Sequence, residues 1–263
     1  MKKLTAVFTI FLLVLSLCAC RAPEPARQDL LEQTAENMKN VRSMRMDLNL
    51  HSKMAAEGIA LPVDLRMKGE TTVDPFGFHM DAKLGMMGLG IPVSVYAVQE
   101  EGRMEIYLGI DTGNGMQWET VREEIPSLQV MSMPDGMLPM LAALAGEPEQ
   151  EKLGNTPVYT YRVELTRQNL QKMVDSGMLG SAEQAKQILE DMPEDMVLPF
   201  SFSVDPERKL LCGISVDLSQ VLDHVDLREA GVELSEAIIS IRYYDFNEDI
   251  SITVPPQALA AAK

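Results

Sequence analysis

The chain has 263 residues and a net charge of −16, with 46% hydrophobic and 24% charged residues, 5% aromatics, three cysteines and 19 methionines. So acidic a balance argues against nucleic acid as a partner and against electrostatic adhesion to anionic lipid. The length is ample for a hydrophobic core that needs no disulfide.

In chain order, Lys2 and Lys3 precede an apolar run from Leu4 to Leu17 that is broken only by Thr5, Thr9 and Ser16. That is the layout of a secretory signal peptide, too short for a comfortable membrane span. Leu17-Cys18-Ala19-Cys20 then sets a small residue before a cysteine. The tetrad resembles the bacterial lipobox, whose cysteine receives a diacylglycerol and becomes the new N-terminus. The organisation expected is a signal peptide over residues 1–19, a lipidated Cys20 with its tether over 20–27, and one domain over 28–263. Acyl chains, at ~0.8 kcal/mol per buried methylene, would hold the protein on the extracytoplasmic face of a bacterial cell membrane. With Cys18 discarded and Cys20 modified, only Cys212 remains, and no internal disulfide can form.

Residues 27–41 carry Leu31, Ala35 and Met38 on one helical stripe and are expected to form the first helix. Apolar residues then fall two apart in Met44–Leu50, Val63–Met67, Phe76–Leu84, Val93–Ala97 and Met104–Ile110, with a weaker run at Gln117–Val121. Period two with one wet face predicts antiparallel strands. Leu84–Pro92 (LGMMGLGIP) lacks the dinucleotide-binding glycine spacing; it reads as a bulged hairpin or as a rim beside a cavity. Ile125–Ala145 is rich in Met and Leu but cut by Pro126, Pro134, Gly136 and Pro139, which predicts short helical pieces. Alternation resumes over Tyr159–Leu165. Thr166 follows as a helix N-cap, with Leu165 and Leu170 at the staple positions, and Ser181 and Gln184 have capping-box spacing. Leu198–Val204, Leu210–Leu218, Ile239–Tyr243 and a weaker Ile250–Val254 complete about eleven strands, separated by turns at Asp205–Lys209 and Asn247–Asp249.

The fold class expected is α+β, mostly antiparallel β. A sheet apolar on a single face must cover that face. It does so by folding into a sandwich or by curving around a few helices, and helices that cover only part of a concavity leave an apolar pocket. The first helix running into NVRSMRMDLNLHSKM (40–54), then GNTPVYTYRVELT (154–166), PFSFSVDPERKLLCGISVDLS (199–219) and RYYDFNEDISITVPPQAL (242–259), resembles the LolA-like lipoprotein-carrier superfamily. The resemblance implies a curved, roughly eleven-stranded half-barrel whose concave face is plugged by helices and holds acyl chains. Carriers of that group are typically soluble, whereas Cys20 would leash this chain, so a fixed sensor or hand-off station fits better than a shuttle.

Methionine suits surfaces that adapt to varied apolar shapes, and it also simply fills cores. Cavity candidates on the strands are Met44, Met46, Leu48, Met67, Met80, Met104 and Ile106, joined by Tyr161, Phe200 and Phe202. Met137 and Met140 come from the broken helical segment, where Met131 and Met133 also lie. Cu(I) ligation by thioethers lacks a supporting His/Cys cluster. His51, His79 and His224 do not converge, and Asp223-His224-Val225-Asp226 offers too few ligands for a metal sphere. Cys212 lies in phase with Leu210 and Ile214 and reads as a buried small hydrophobe. The acidic groups lack calcium-loop spacing and read as a solvated surface. No His-Glu-x-x-His, nucleophile elbow or Walker loop occurs, so neither an enzyme nor a cofactor is expected. Two functions remain: a tethered lipoprotein binding a lipid or other apolar ligand, or a packed envelope module that meets a protein partner.

Overall fold

The computed structural model describes residues 27–56, 59–86, 89–100, 103–123, 137–175, 189, 193–222 and 232–261. The alternating segments form one antiparallel sheet of eleven strands. They are β1 (Ser43–Ala56), β2 (Ile59–Val73), β3 (Phe76–Met86), β4 (Leu89–Glu100), β5 (Arg103–Asp111), β6 (Met116–Glu123), β7 (Glu149–Leu153), β8 (Thr156–Thr166), β9 (Val197–Asp205), β10 (Leu210–Asp217) and β11 (Val232–Tyr244). Their order across the sheet is β6-β5-β4-β3-β2-β1-β11-β10-β9-β8-β7, two meanders joined where β11 returns beside β1. The described helices are α1 (Arg27–Lys39), α2 (Met137–Leu144), α3 (Arg167–Asp175), α4 (Ser219–Leu222) and α5 (Pro256–Ala261).

Local chemistry accounts for the helices. Thr166 caps α3, its Oγ1 accepting from the Asn169 amide at 3.3 Å. Pro139 stands in the first turn of α2, where a missing N–H costs nothing. The C-terminal end of α1 is tied down by Asn37, whose Nδ2 donates to the carbonyls of Arg208 at 3.3 Å and Lys209 at 3.2 Å. That β9–β10 turn is shaped by Asp205, whose Oδ1 accepts the amides of Glu207 and Arg208.

Three local expectations change. Ile250–Val254 is not a strand. Asp245 and Asn247 adopt positive φ, Asn247 N donates to Ser43 O at 2.8 Å, and Asn247 Oδ1 accepts from Arg42 N at 2.7 Å, which turns the chain off the sheet. In its place stands β7, whose polar Glu-Gln-Glu-Lys run hides from a search for alternating apolar residues because it is an exposed edge strand. Where a bulged hairpin or a rim was expected over Leu84–Pro92, the described residues 84–86 and 89–91 pair in unbroken register, Met86 opposite Leu89 and Gly85 opposite Gly90.

One core lies on the apolar side of β8–β10. Leu30 and Leu31 of α1, Leu138 and Leu141 of α2, and Met173 of α3 close over Tyr161, Val163, Phe202, Val204 and Leu211. Tyr161 and Phe202 stack with ring centroids 4.9 Å apart. A bulge between Leu211 and Gly213 puts Leu211 rather than Leu210 in register with buried Val204. Cys212 is the extra residue there. It is buried, and burial first, then the charge of Asp205, pushes its thiol up to about 11. A second, smaller core lies on the other side of the sheet, where Val254 and Ala258 of the closing segment pack on Tyr107 with Tyr96, Val98 and Trp118 around them.

Candidate functional site

Residues opposite one another on a ladder share a face of the sheet, so the registers sort the side chains. One row runs Ile110, Val93, Ala82, Met67, Leu48, Ile241, Ile214, Phe202, Tyr161, an apolar residue on every strand from β5 to β8. The next row runs Leu65, Leu50, Ile239, Val216, Phe200, Val163. The opposite face carries Asp47, Asn49, Lys68, Glu70, Asp81 and Arg242.

Cover on the apolar face is uneven. Phe202 and Tyr161 are 0% and 1% exposed beneath α1, α2 and α3. From Ile241 onward the same row is only half-buried, and it reaches 39% exposure at Ile110. Leu48, Met67, Ala82, Val93 and Ile241 belong to none of the buried clusters among the described residues. This uncovered part spans six strands, β11 to β5, about 24 Å at ~4.8 Å between strands.

The expected cavity residues fall into groups on that face. Leu48, Met67, Met80 and Ile106 sit in the uncovered part. Met44, Met46 and Met104 form its buried margin. Met46 lies over Gly69, where a Cβ would stand 3.1 Å from its Cγ, so the glycine makes room for the thioether. Tyr161 and Phe202 are sealed under the helices, with Phe200 half-buried at their border. Met137 and Met140 are half-buried on α2 and pack on the sealed core.

Two polar groups share this face. Ser52, opposite Val63 and Ala237, is 6% exposed, and its hydroxyl has no hydrogen-bond partner among the described residues. Tyr243, opposite Met46, has its phenol pushed up to about 12 by burial and stays neutral. Neither residue stood out in the sequence, because a serine or tyrosine in phase with leucines gives no sign of whether it finds a partner.

The remaining candidates stay apart. His51 and His79 lie on the polar face. His51 Nδ1 is 2.6 Å from Asp64 Oδ1; His79 stacks on Tyr96 and sits 3.2 Å from Asp81. No group of three or more His, Cys, Asp and Glu side chains among the described residues is placed to hold a metal ion. A recess of about 400 Å³ occurs at the far sheet edge, where Pro157, Tyr159 and Pro206 border Gln150 and Lys152; it is not on the uncovered face. Cys18, Cys20, Met131, Met133, Ser181, Gln184 and the Asp223–Asp226 group lie outside the described residues.

Among solved structures, the chain is similar to the Mycobacterium tuberculosis lipoprotein LppX, at 11% identity over 88% of this chain and 100% of that one, with a TM-score of 0.45. LprF from Mycobacterium bovis is similar at 12% identity over 89% and 99% of the two chains, with a TM-score of 0.46. A DUF1329 family protein from Desulfovibrio piger follows at 8% identity over 88% and 95%, with a TM-score of 0.28. No curated protein matches the chain. Over residues 26–263 the chain belongs to DUF6612, a family of unknown function.

Proposed function

We propose that this chain is an extracytoplasmic lipoprotein, anchored through Cys20, that holds a lipid or other apolar ligand against the uncovered part of its apolar face, with the sheet curving around it as a half-barrel. The observation that carries this reading is the change of cover along one ladder row, sealed at Phe202 and open at Met67 and Ile110. An apolar surface of that extent is retained where a ligand or partner covers it. Four of the expected cavity residues line it, and methionines among them suit a ligand of variable shape. Ser52 supplies a buried hydroxyl beside them, which a polar group of the ligand would satisfy.

Native mass spectrometry after gentle extraction, followed by titration of the delipidated protein with an apolar fluorescent dye, tests it. A co-purifying lipid and a single saturable dye site are expected, and Met67→Lys should remove the site while the melting temperature changes little, because Met67 is only half-buried. Absence of both lipid and saturable site ends the proposal.

A further inference from the structure

The hairpins β1–β2 and β3–β4 repeat one another in sequence at a constant offset. Lys53, Gly58, Pro62 and Val63 of the first correspond to Lys83, Gly88, Pro92 and Val93 of the second. Their registers agree, with Lys53 opposite Pro62 and Lys83 opposite Pro92. Beyond these lysines two of the ladders stop, while β1 stays paired with β11 as far as Ala56–Val232. The β2–β3 ladder ends at Arg66–Lys83 and the β4–β5 ladder at Val93–Ile110. Residues 84–86 and 89–91 therefore pair only with each other, a two-stranded finger without a neighbour on either side among the described residues. Residues 59–63 of the first hairpin likewise have no partner on the β3 side.

The finger is apolar in sequence, Leu-Gly-Met followed by Leu-Gly-Ile-Pro, whereas the first hairpin, Met-Ala-Ala and Ile-Ala-Leu-Pro-Val, carries Glu57 between those runs. Ile91 is 46% exposed, and nothing lies within 4 Å of where a Cβ on Gly90 would stand. An isolated two-stranded hairpin in water is marginal at best, so an apolar one that leaves Ile91 exposed calls for a surface to meet.

The base of the finger identifies that surface. Arg66 and Lys83 are directly opposite each other on the polar face, both exposed and neither in an ion pair among the described residues. Like charges in that relation destabilise a ladder. The nearby carboxylates are otherwise engaged: Asp64 with His51, and Asp81 with His79 and Ser94. Lys53, at the base of the first hairpin, pairs with Glu236. Two unmatched cations thus stand at one end of a chain of net charge −16.

We propose that this end of the sheet contacts a lipid bilayer, the β3–β4 finger entering its interfacial layer while Arg66 and Lys83 meet the lipid phosphates. The dimensions agree. Lys83 to Met86 covers about 10 Å at ~3.3 Å per residue, the upper end of the ~5–10 Å by which interfacial elements bury themselves. Deeper insertion is barred because the finger's outer backbone groups have no ladder partner and hydrocarbon offers none. The proposal does not depend on a ligand occupying the apolar face.

The test uses the protein from Arg27 onward, which contains every described element of the fold, and vesicles of phosphatidylcholine with or without phosphatidylglycerol. An environment-sensitive fluorophore is attached at Ile91→Cys or, at the opposite end of the sheet, at Glu207→Cys; buried Cys212 stays unlabelled. A blue shift with a several-fold rise in emission is expected at position 91 on adding vesicles, with no change at position 207. In sedimentation, Ile91→Asp should lower the vesicle-bound ratio about tenfold, as expected for withholding one half-exposed isoleucine from an apolar phase. Arg66→Glu and Lys83→Glu should each weaken binding to the anionic vesicles about fivefold and leave binding to phosphatidylcholine nearly unchanged. A silent label at 91, an equal response at 207, or a response that grows with protein concentration without vesicles (a second copy on the sheet edge) overturns the proposal.

Discussion

The two halves of the apolar face are built from the same alternation and differ in what lies on them. Over β8–β10, three helices contribute Leu30, Leu31, Leu138, Leu141 and Met173 to a dry core. Over β1–β5, Leu48, Met67, Met80 and Ile106, of the same type and phase, remain half-buried. The difference teaches that strand pattern alone sets which residues face one way, whereas cover depends on where the connections place helices. Here α1 and α3 directly adjoin strands in the chain and α2 lies between β6 and β7, and all three settle over the second meander.

The largest expected effect therefore separates residues of one ladder row. Phe202→Ala removes a stacked ring that is 0% exposed and should cost about 3–5 kcal/mol. Ile241→Ala, two strands away in the same row and half-buried, should cost under about 2 kcal/mol, because part of its surface already meets water. Urea unfolding of both variants measures the contrast. Equal losses would mean that the open half is as tightly filled as the sealed one.

A second contrast sets two strand glycines against each other. Gly109 is packed under Trp118, and a Cβ there would lie 2.8 Å from the indole ring. Gly109→Ala should cost about 1–3 kcal/mol by overpacking and shift the emission of the single tryptophan. Gly90→Ala meets nothing within 4 Å and should change stability by less than about 1 kcal/mol, tending to stabilise by restricting the unfolded chain. A large loss at Gly90 would show that the finger is packed against something.

Much of this was legible in the residues. Every apolar alternation from Met44 to Tyr243 formed the strand it predicted, and Thr166 capped the helix it was expected to cap. The edge strand β7 was not legible, because charged residues on an exposed edge leave no hydrophobic period. Ile250–Val254 misled for the converse reason. Its alternation serves packing against Gly77 and in the small second core, not a ladder. At the site, the sequence identified the face but not its cover. Met46 and Met67 look alike in the chain, yet one is folded over Gly69 in a buried margin and the other lies half-open. The recurrence of Lys53–Val63 as Lys83–Val93 could have been read from the letters alone, and its meaning appears only once the β2–β3 and β4–β5 ladders are seen to stop short of the β3–β4 finger.

The sealed half also depends on its helices staying docked. Thr166→Ala removes the acceptor for Asn169 N at the start of α3 and should cost about 1 kcal/mol. Because α3 covers the sealed core and not the open face, this loss should appear in urea unfolding without altering the dye site. A change at the dye site would tie the two halves together.

The smallest effect expected concerns the outer edge of the sealed half, where β7 is held by charge instead of by a core. Arg162 sits 2.7 Å from Glu149 Oε2 and 2.6 Å from Glu151 Oε1, all on the polar face. Hydrogen bonds from Thr160 first and Arg162 second hold the Glu151 carboxyl below its ordinary 4.5. A carboxylate whose pKa falls on folding stabilises the folded form above its unfolded pKa, and that contribution is lost as pH drops through the folded value. These groups are exposed, so the loss is small and local. Hydrogen exchange, corrected for the intrinsic rate, should show β7 amides losing protection as pH falls below 4.5, while β8 and β9, buried beneath the helices, keep theirs. Arg162→Leu should remove the pH dependence of β7 without unfolding the protein. If β7 protection is flat across that range in the unaltered chain, the edge is held by its ladder to β8 alone.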